Sequence, residues 1–337
     1  MKITVIGGGA WGTAIASHVA RRAHDVTLWA FEAEVAQAIN TSHENTVYLP
    51  GIKLPESLKA SADMAQALAG AELVVLVPPS SHLRRVTQSL APHLPPGVRV
   101  LVATKGIEEN SLKLMSEVLA ETLPAVSQDR LAFLSGPNFA KEVAGALPTD
   151  SVVASTDAAC AEFMQEALHA PNFRVYTSQD PIGVQVGGAI KNVLAIATGT
   201  CDGLGLGLNA RAALMTRGLS EMTRLGVALG ADPLTFLGMA GVGDLILTCT
   251  GDLSRNRTLG MKLAEGVNPS EYLKTVRSVA EGYWTAAAAH GLAKKVGVEM
   301  PVTEQVYLVL HEGRPLTEAM RSLLLRGTKS ELYGIKA

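Results

Sequence analysis

Cysteine is scarce in this chain of 337 residues, with three in all, at Cys160, Cys201 and Cys249. No two of them form a C-x-x-C pair and the total is odd, which argues against a disulfide framework. Such cysteine usage is typical of a reducing compartment, and it predicts a cytoplasmic protein.

An excess of charge of one sign is also absent. The 29 basic and 31 acidic residues are evenly spread and give a formal net charge of -2. No basic patch is available for nucleic acid or for an acidic membrane surface. We therefore expect no nucleic-acid partner and a small molecule as the ligand.

Two further patterns are missing. No stretch approaches the roughly 20 apolar residues that span a bilayer, so we expect no stable membrane insertion and no cleaved leader. The eight histidines lack H-E-x-x-H or any other ligand spacing, and we expect neither a metal site nor a histidine-based triad.

The first half of the chain alternates short apolar runs with amphipathic segments, a pattern typical of βαβ units around a mostly parallel sheet. The predicted strands are residues 2–6, 26–29, 73–77, 98–103, 131–134, 151–154 and 174–176, with helices such as 14–23 and 112–123. Runs such as 73–77 are apolar throughout, as expected of strands covered on both faces.

The pattern changes near Pro181 to long segments of helical period without a convincing strand. The predicted helices are residues 183–200, 210–229, 259–265, 280–296, 303–312 and 315–325, with glycine-rich breaks at 201–207 and 238–243. We therefore predict an α/β domain over residues 1–180 and an all-α domain over residues 181–337.

A glycine-rich turn, Gly7-x-Gly9-x-x-Gly12, directly follows the first strand and opens a helix. Gly7 permits the tight turn, Gly9 lets the backbone approach a pyrophosphate, and Gly12 lets helix and strand pack closely. The helix N-terminus adds free N–H donors and a favourable dipole. The sequence thus predicts a Rossmann-like N-terminal domain that binds a dinucleotide.

The residue after the second strand bears on the choice of cofactor. Glu32 lies twenty residues past Gly12, where a carboxylate would accept a hydrogen bond from the ribose 2′-hydroxyl of NAD(H). No basic residue directly follows this strand to receive the 2′-phosphate of NADP(H). NAD(H) is favoured, although Arg21, Arg22 or a later loop remains an alternative source of positive charge.

Five further segments carry side chains suited to a dehydrogenase of phosphorylated substrates, and all lie beyond the glycine turn. They are residues 103–106 (ATKG), 135–140 (SGPNFA), 188–193 (GAIKNV), 241–245 (GVGDL) and 254–257 (SRNR). In this order and spacing, with residues 7–13 (GGGAWGT) and 279–282 (VAEG), they resemble the bacterial-type NAD(P)-dependent sn-glycerol-3-phosphate dehydrogenase family. The resemblance runs nearly end to end. It implies reduction of dihydroxyacetone phosphate to sn-glycerol 3-phosphate for phospholipid synthesis.

Lys191 is the predicted acid/base residue. It lies within an apolar helical pattern, where burial lowers the pKa of an ammonium and suits it to protonate an alkoxide. The alternative is a lysine that extends to water. The resemblance favours the catalytic role, because the family's matching lysine is its acid/base residue.

The remaining substrate contacts combine residue chemistry with the resemblance. Lys105 follows a strand end and would polarise the carbonyl, while Asp244 either caps a helix or pairs with Lys191 or a substrate hydroxyl. Arg255, at a helix start, would bind the substrate phosphate in bidentate fashion. The full predicted substrate set is Lys105, Gly136, Asn138, Lys191, Asp244, Ser254, Arg255 and Asn256.

The predicted cofactor contacts are Gly7, Gly9, Ala10, Trp11, Gly12, Phe31, Glu32, Lys105, Ala140, Arg255, Val279 and Glu281. Those of Ala140, Val279 and Glu281 rest on the resemblance, as does a homodimer. Asn138 departs from the Ser or Thr of the family's pattern.

Two rival functions remain. A β-hydroxyacid or 6-phosphogluconate-type dehydrogenase usually carries Asn four residues after its lysine, whereas Ala195 stands there in this chain. A non-enzymatic dinucleotide sensor would not need Lys191, Asp244 and Arg255 together.

Overall fold

The alternating apolar and amphipathic segments form one eight-stranded sheet in the computed structural model, which describes residues 1–276, 279–331 and 334. The strands are β1 (Lys2–Ile6), β2 (Asp25–Trp29), β3 (Lys59–Ser61), β4 (Leu73–Leu76), β5 (Arg99–Val102), β6 (Leu131–Ser135), β7 (Thr149–Ala154) and β8 (Phe173–Ser178). Seven of them match predicted strands, and β3 was missed because its three residues carry no apolar run.

The strands lie in the order β3-β2-β1-β4-β5-β6-β7-β8, and every neighbouring pair is parallel except β6 with β7. The predicted mostly parallel sheet is therefore confirmed. The chain leaves β1 toward β2 and β3, and then returns to place β4 on the other side of β1. Ligands of open α/β sheets bind outside the carboxyl ends of the strands at such a switch point.

The chain forms two compact units: unit 1 comprises Met1–Thr104 and Met115–Pro181, and unit 2 comprises Lys105–Leu114 and the chain from Ile182 onward. The domain division at 180/181 stays a prediction, and residues 332, 333 and 335–337 of its second part lie outside the described residues. The helix predicted over 112–123 begins only at Met115, because Leu112 has a φ of 60° and Ile107 and Leu114 form an isolated bridge.

Unit 1 contains the sheet and seven α-helices. They are α1 (Ala10–Arg21), α2 (Ala33–Ser42), α3 (Met64–Leu68), α4 (Ser80–Leu90), α5 (Met115–Thr122), α6 (Ala140–Ala144) and α7 (Ala158–Leu168). All four residues of β4 are buried, as its wholly apolar sequence predicts. The strands thus hold the loops at their carboxyl ends on a rigid base.

Unit 2 is helical, as predicted. Its helices are α8 (Pro181–Gly203), α9 (Leu208–Ala228), α10 (Asp244–Thr250), α11 (Arg255–Ala264), α12 (Pro269–Thr275), α13 (Glu281–Val296), α14 (Pro301–His311) and α15 (Leu316–Leu324). The break predicted at 238–243 is a π-helical turn over Met239–Gly243. Helix α12 was not predicted, and α10 was expected only as a helix start at Asp244. The fold class predicted from the sequence is confirmed.

Helix α8 is the apolar centre of unit 2. By length and composition alone its 23 residues would suffice to cross a membrane, contrary to the expectation that no such stretch exists, but 89% of its most apolar window is buried. Gly187 permits close packing, because a Cβ there would lie 2.3 Å from the carbonyl oxygen of Ala240. The helix is therefore held tightly against the π-helical turn that precedes Asp244.

Candidate active site

Lys191 lies in the middle of α8 and is buried, with 8% of its surface exposed. Its Nζ donates to Asp244 Oδ1 at 2.6 Å and to Thr248 Oγ1 at 2.9 Å. The apolar surroundings expected from the sequence are present, and the ammonium does not extend to water. Lys191 is therefore held by hydrogen bonds in a buried position.

Asp244 is the first residue of α10 and is completely buried. Its second carboxylate oxygen, Oδ2, accepts a hydrogen bond from Lys105 Nζ at 2.8 Å. Helix α10 shows no side-chain cap, so of the roles considered for Asp244 the structure has the ion pair with Lys191 and not the cap. One carboxylate thus joins two ammonium groups that are 86 positions apart in the sequence.

Thr248 lies one helical turn after Asp244 and was missed by the sequence analysis. Its hydroxyl accepts from Lys191 and donates to the backbone carbonyl of Asp244 at 2.6 Å. The spacing of four residues on an expected helix was the available signal. Thr248 fixes the direction of the Lys191 ammonium.

The electrostatics of this cluster favour a charged carboxylate and a weakly held proton. Burial lowers the pKa of Lys191 to about 8; Asp244 opposes this shift and Lys105 adds to it. Burial alone would raise the pKa of Asp244, but Lys105 and Lys191 outweigh it and hold that pKa below its usual range. An ammonium of this kind can give up and regain a proton near neutral pH.

In the segment that begins α11, some side chains are bonded within the protein and one is available to bind a ligand. Ser254 caps the helix by accepting from the Arg257 N–H at 3.2 Å, and the Arg257 guanidinium is paired with Asp202 and Asp252. Arg255 is exposed, and no residue in the described part of the chain ion-pairs or hydrogen-bonds with its guanidinium. Arg255 is therefore the residue of this segment that is free to bind an anion.

Asn256, unlike the exposed Arg255 before it, is bonded within the protein. It is buried, its Nδ2 donates to Asn192 Oδ1 at 2.8 Å, and its Oδ1 accepts from the Gly282 N–H at 2.9 Å. The amide thereby ties α11 to α8 and to the start of α13. Glu281, the first residue of α13, acts electrostatically on Arg255, and Val279 is half-buried just before it.

In unit 1 the glycine turn has the geometry that the sequence predicted. Gly7 has a φ of +123°, and a Cβ on Gly12 would lie 1.9 Å from the Gly7 carbonyl oxygen, whereas a Cβ on Gly9 would meet nothing within 4 Å. The Trp11 Nε1 is buried without an acceptor among the described residues. The open backbone at Gly9, the start of α1 at Ala10 and this unused N–H suit a pyrophosphate-containing cofactor.

The other predicted residues of unit 1 also follow strand ends. Glu32 precedes α2 and accepts from the Tyr48 hydroxyl at 2.8 Å, and Phe31 beside it is exposed. Gly136 follows β6 with a φ of +135°. Asn138 donates to Ser151 Oγ at 2.8 Å while its buried Oδ1 has no described donor, and Ala140 begins α6.

No group of three or more His, Cys, Asp or Glu suited to a metal ion occurs within the described ranges. The three cysteines are buried and free. Burial raises the pKa of Cys249, in the helix that carries Asp244, to about 12, so this thiol is inert.

Known proteins are similar to this chain over nearly its full length. The models of the NAD-dependent glycerol-3-phosphate dehydrogenase N-terminus and C-terminus match residues 2–161 and 180–321. The chain belongs to the NAD-dependent glycerol-3-phosphate dehydrogenase family. The family predicted from the sequence, and with it a nicotinamide-dependent dehydrogenase, is confirmed.

Individual members of the glycerol-3-phosphate dehydrogenase family agree. A relative from Geobacter sulfurreducens named glycerol-3-phosphate dehydrogenase [NAD(P)+] is 51% identical over 332 residues, covering 98% of this chain and 99% of the relative. One of the same name from Myxococcus xanthus is 49% identical, covering 99% and 100%. The crystal structure of glycerol-3-phosphate dehydrogenase from Coxiella burnetii has a TM-score of 0.92 at 41% identity, covering 96% of this chain and 99% of that one.

Proposed function

We propose that this chain interconverts dihydroxyacetone phosphate and sn-glycerol 3-phosphate with NAD(P)H, that Lys191 is its acid/base residue, and that the product supplies phospholipid synthesis. The observation that carries the proposal is the buried Lys191 ammonium held between Asp244 and Thr248. Family membership supports the substrate, since relatives are named for glycerol 3-phosphate.

The nicotinamide cofactor, when bound to unit 1, supplies the hydride for reduction and accepts it in oxidation. Lys191 Nζ gives its proton to substrate O2 as the C2 carbonyl becomes an alcohol, and it takes that proton back in the reverse direction. Asp244 keeps the ammonium oriented, and Lys105, on the other carboxylate oxygen, contributes positive charge that favours a developing alkoxide.

Arg255 is the proposed partner of the substrate phosphate, because its guanidinium makes no hydrogen bond or ion pair within the described residues and only Glu281 acts on it electrostatically. Ser254 and Asn256 support it: the first caps α11, and the second has one amide N–H beyond the bond to Asn192. Lys105 and Arg255 are also proposed to contact the cofactor, as are Val279 and Glu281.

The remaining roles belong to unit 1. The cofactor is proposed to contact the glycine turn from Gly7 to Gly12, including Ala10 and Trp11, and also Phe31, Glu32 and Ala140. Gly136 and Asn138 are proposed substrate contacts, and the unused Asn138 Oδ1 supports a hydrogen bond from a substrate hydroxyl. We also propose NAD(H) as the preferred cofactor, with Glu32 on the ribose.

Location and assembly complete the proposal. Three buried free cysteines support the reducing cytoplasm. The resemblance to the family supports a homodimer, which light scattering on the purified protein would detect.

The test of the function is an initial-rate assay with dihydroxyacetone phosphate and either NADH or NADPH. We expect turnover that requires the phosphate group of the substrate. Arg255→Ala should raise KM for the substrate by about tenfold or more while kcat changes less. Arg257→Ala is the matched control, since that guanidinium is committed to Asp202 and Asp252. An unchanged KM in Arg255→Ala would remove the phosphate contact from the proposal.

A further inference from the structure

The positive charge that the sequence analysis left open for a 2′-phosphate has a defined candidate in the structure. Arg21 and Arg22 end α1, just before β2 begins at Asp25, and so lie at the amino ends of the parallel strands, away from the glycine turn. Arg22 Nη1 also donates to the Glu166 carbonyl oxygen at 2.9 Å. Neither arginine is placed to reach a cofactor at the carboxyl ends.

Arg85 lies at the correct edge of the sheet. It belongs to α4, which follows β4, and β4 flanks β1 on the side opposite to β2. The Arg85 guanidinium carbon lies 5.9 Å from the centre of the Phe31 ring, and Phe31 is two residues past the end of β2. A side chain from one half of the sheet thus crosses the switch point to the other half.

The Arg85 guanidinium is available for an anion. The Arg85 guanidinium lies over the Phe31 ring at a cation–π distance, and its planar fork of N–H groups matches the geometry of a phosphate. No described residue accepts a hydrogen bond from Arg85 or pairs with it, whereas Arg84 beside it is paired with Glu121 at 2.8 Å. Phe31 is 71% exposed, which gives the guanidinium an open aromatic support.

The negative charge of Glu32, beside Phe31, explains why a cation such as Arg85 is needed for a 2′-phosphate. Glu32 is the next residue, and its carboxylate, oriented by Tyr48, is suited to the 2′-hydroxyl of NAD(H) but repels the 2′-phosphate of NADP(H). A cation over Phe31 offsets that repulsion. We propose that Arg85 is a cofactor-specificity residue whose guanidinium, held on Phe31, binds the 2′-phosphate and lets the chain accept NADP(H) as well as NAD(H).

This inference rests on the proposed function, and it is tested by equilibrium binding rather than by turnover. Dissociation constants for NADPH and NADH are measured by calorimetry on full-length wild type, Arg85→Gln, Arg85→Lys and Arg84→Gln. In Arg85→Gln the ratio of the NADPH constant to the NADH constant should rise about tenfold or more, the loss expected for a charged, bidentate contact. Arg85→Lys should recover part of that ratio, because it keeps the charge without the fork.

Arg84→Gln is the matched control, since it removes the same charge one position away and should leave the ratio within twofold of wild type. A loss of affinity for both cofactors to the same degree in Arg85→Gln would overturn the inference, because it would mean that Arg85 contacts the shared adenosine. An unchanged ratio would overturn it too. Failure of wild type to bind NADH at all would instead contradict the proposed function, so the two failures are distinguishable.

Discussion

Two buried carboxylates of unit 2 differ in charge and role although they are equally shielded from water. Asp244 is 0% exposed and Glu221, in α9, is 1% exposed. Asp244 faces two ammonium groups, which hold its pKa below its usual range. Burial raises the pKa of Glu221 to about 7, although hydrogen bonds from Val302 and Thr303 oppose this. The chemical nature of the partners, and not depth, therefore decides the charge state.

The partners also decide what each carboxylate does. Glu221 accepts from the Val302 N–H at 2.7 Å and from the N–H and hydroxyl of Thr303 at 3.1 and 3.0 Å. These are donors of the first turn of α14, so α9 supplies the cap for another helix. The Asp244 cluster, made of Lys105, Lys191, Asp244 and Thr248, instead gathers buried charges, which are a weak source of stability and which we propose serve proton transfer.

The largest expected effect comes from removing the proton that the Asp244 cluster holds. Lys191→Met should lower kcat by about a thousandfold, the scale of general acid–base catalysis, because the Thr248 hydroxyl that remains beside Asp244 Oδ1 is too weak an acid to replace the ammonium. Asp244 keeps its ion pair with Lys105, and methionine has a similar volume, so NADH affinity should be retained. Initial rates and an NADH titration measure the two quantities. A kcat within tenfold of wild type would contradict the assignment of Lys191.

Removing the carboxylate tests the next part of the comparison. Asp244→Asn should lower kcat by about a hundredfold, because both ammonium groups lose their shared counter-charge and orientation. Asp244 raises the pKa of Lys191, so its loss should move the alkaline limb of the rate profile for reduction to lower pH. A merely structural Asp244 would leave that limb in place, which makes the pH profile the deciding measurement.

The sequence predicted the parts of this site that are local and missed those that join distant segments. The glycine turn and Lys191 could be predicted because each lies in a local sequence pattern, a strand followed by glycines in one case and an apolar helix in the other. The bond between Lys105 and Asp244 joins residues 139 positions apart, and no local pattern encodes it. Pairing of Asp244 with Lys191 was one of several predicted roles, and only packing of α8 against α10 selects it.

The fold shows the same division. Strands buried on both faces were predicted to within two residues, whereas β3 at the sheet edge carries Lys59 and Ser61 around a single apolar residue. Residues 105–114 group with unit 2 although they interrupt unit 1 in sequence. Leu112 packs beside Gly291 of α13, since a Cβ at Gly291 would contact it. The sequence around Leu112 contains no pattern that predicts this contact. Long-range packing, not propensity, places this segment.

A smaller effect, confined to stability, is expected at the other carboxylate. Glu221→Ala leaves the buried donors of Val302 and Thr303 unpaired and should lower the free energy of unfolding by about 3 kcal/mol, with kcat at the wild-type level. Thr303→Val is the graded control, since it removes only the hydroxyl donor and should cost about 1 kcal/mol. Urea denaturation gives both values. A large loss of kcat in Glu221→Ala with the fold intact would contradict the assignment of a purely structural role to Glu221.

The smallest expected effect is a pH dependence that distinguishes Lys191, beside Asp244, from Glu221 without a mutation in the site. Lys191 must be protonated for reduction, so with its pKa near 8 the kcat for dihydroxyacetone phosphate should hold below about pH 8 and fall above it. Oxidation of glycerol 3-phosphate needs the neutral amine, so its kcat should rise toward that pH and then level off. Glu221 affects stability and not rate: with its pKa raised from 4.5 to about 7, its contribution to stability is full below about pH 4.5 and declines as the pH rises through 7. Glu221→Gln should abolish that decline and leave both rate profiles unmoved. If kcat for reduction stayed flat from about pH 7 to 10, with hydride transfer rate-limiting, Lys191 would not be the proton donor.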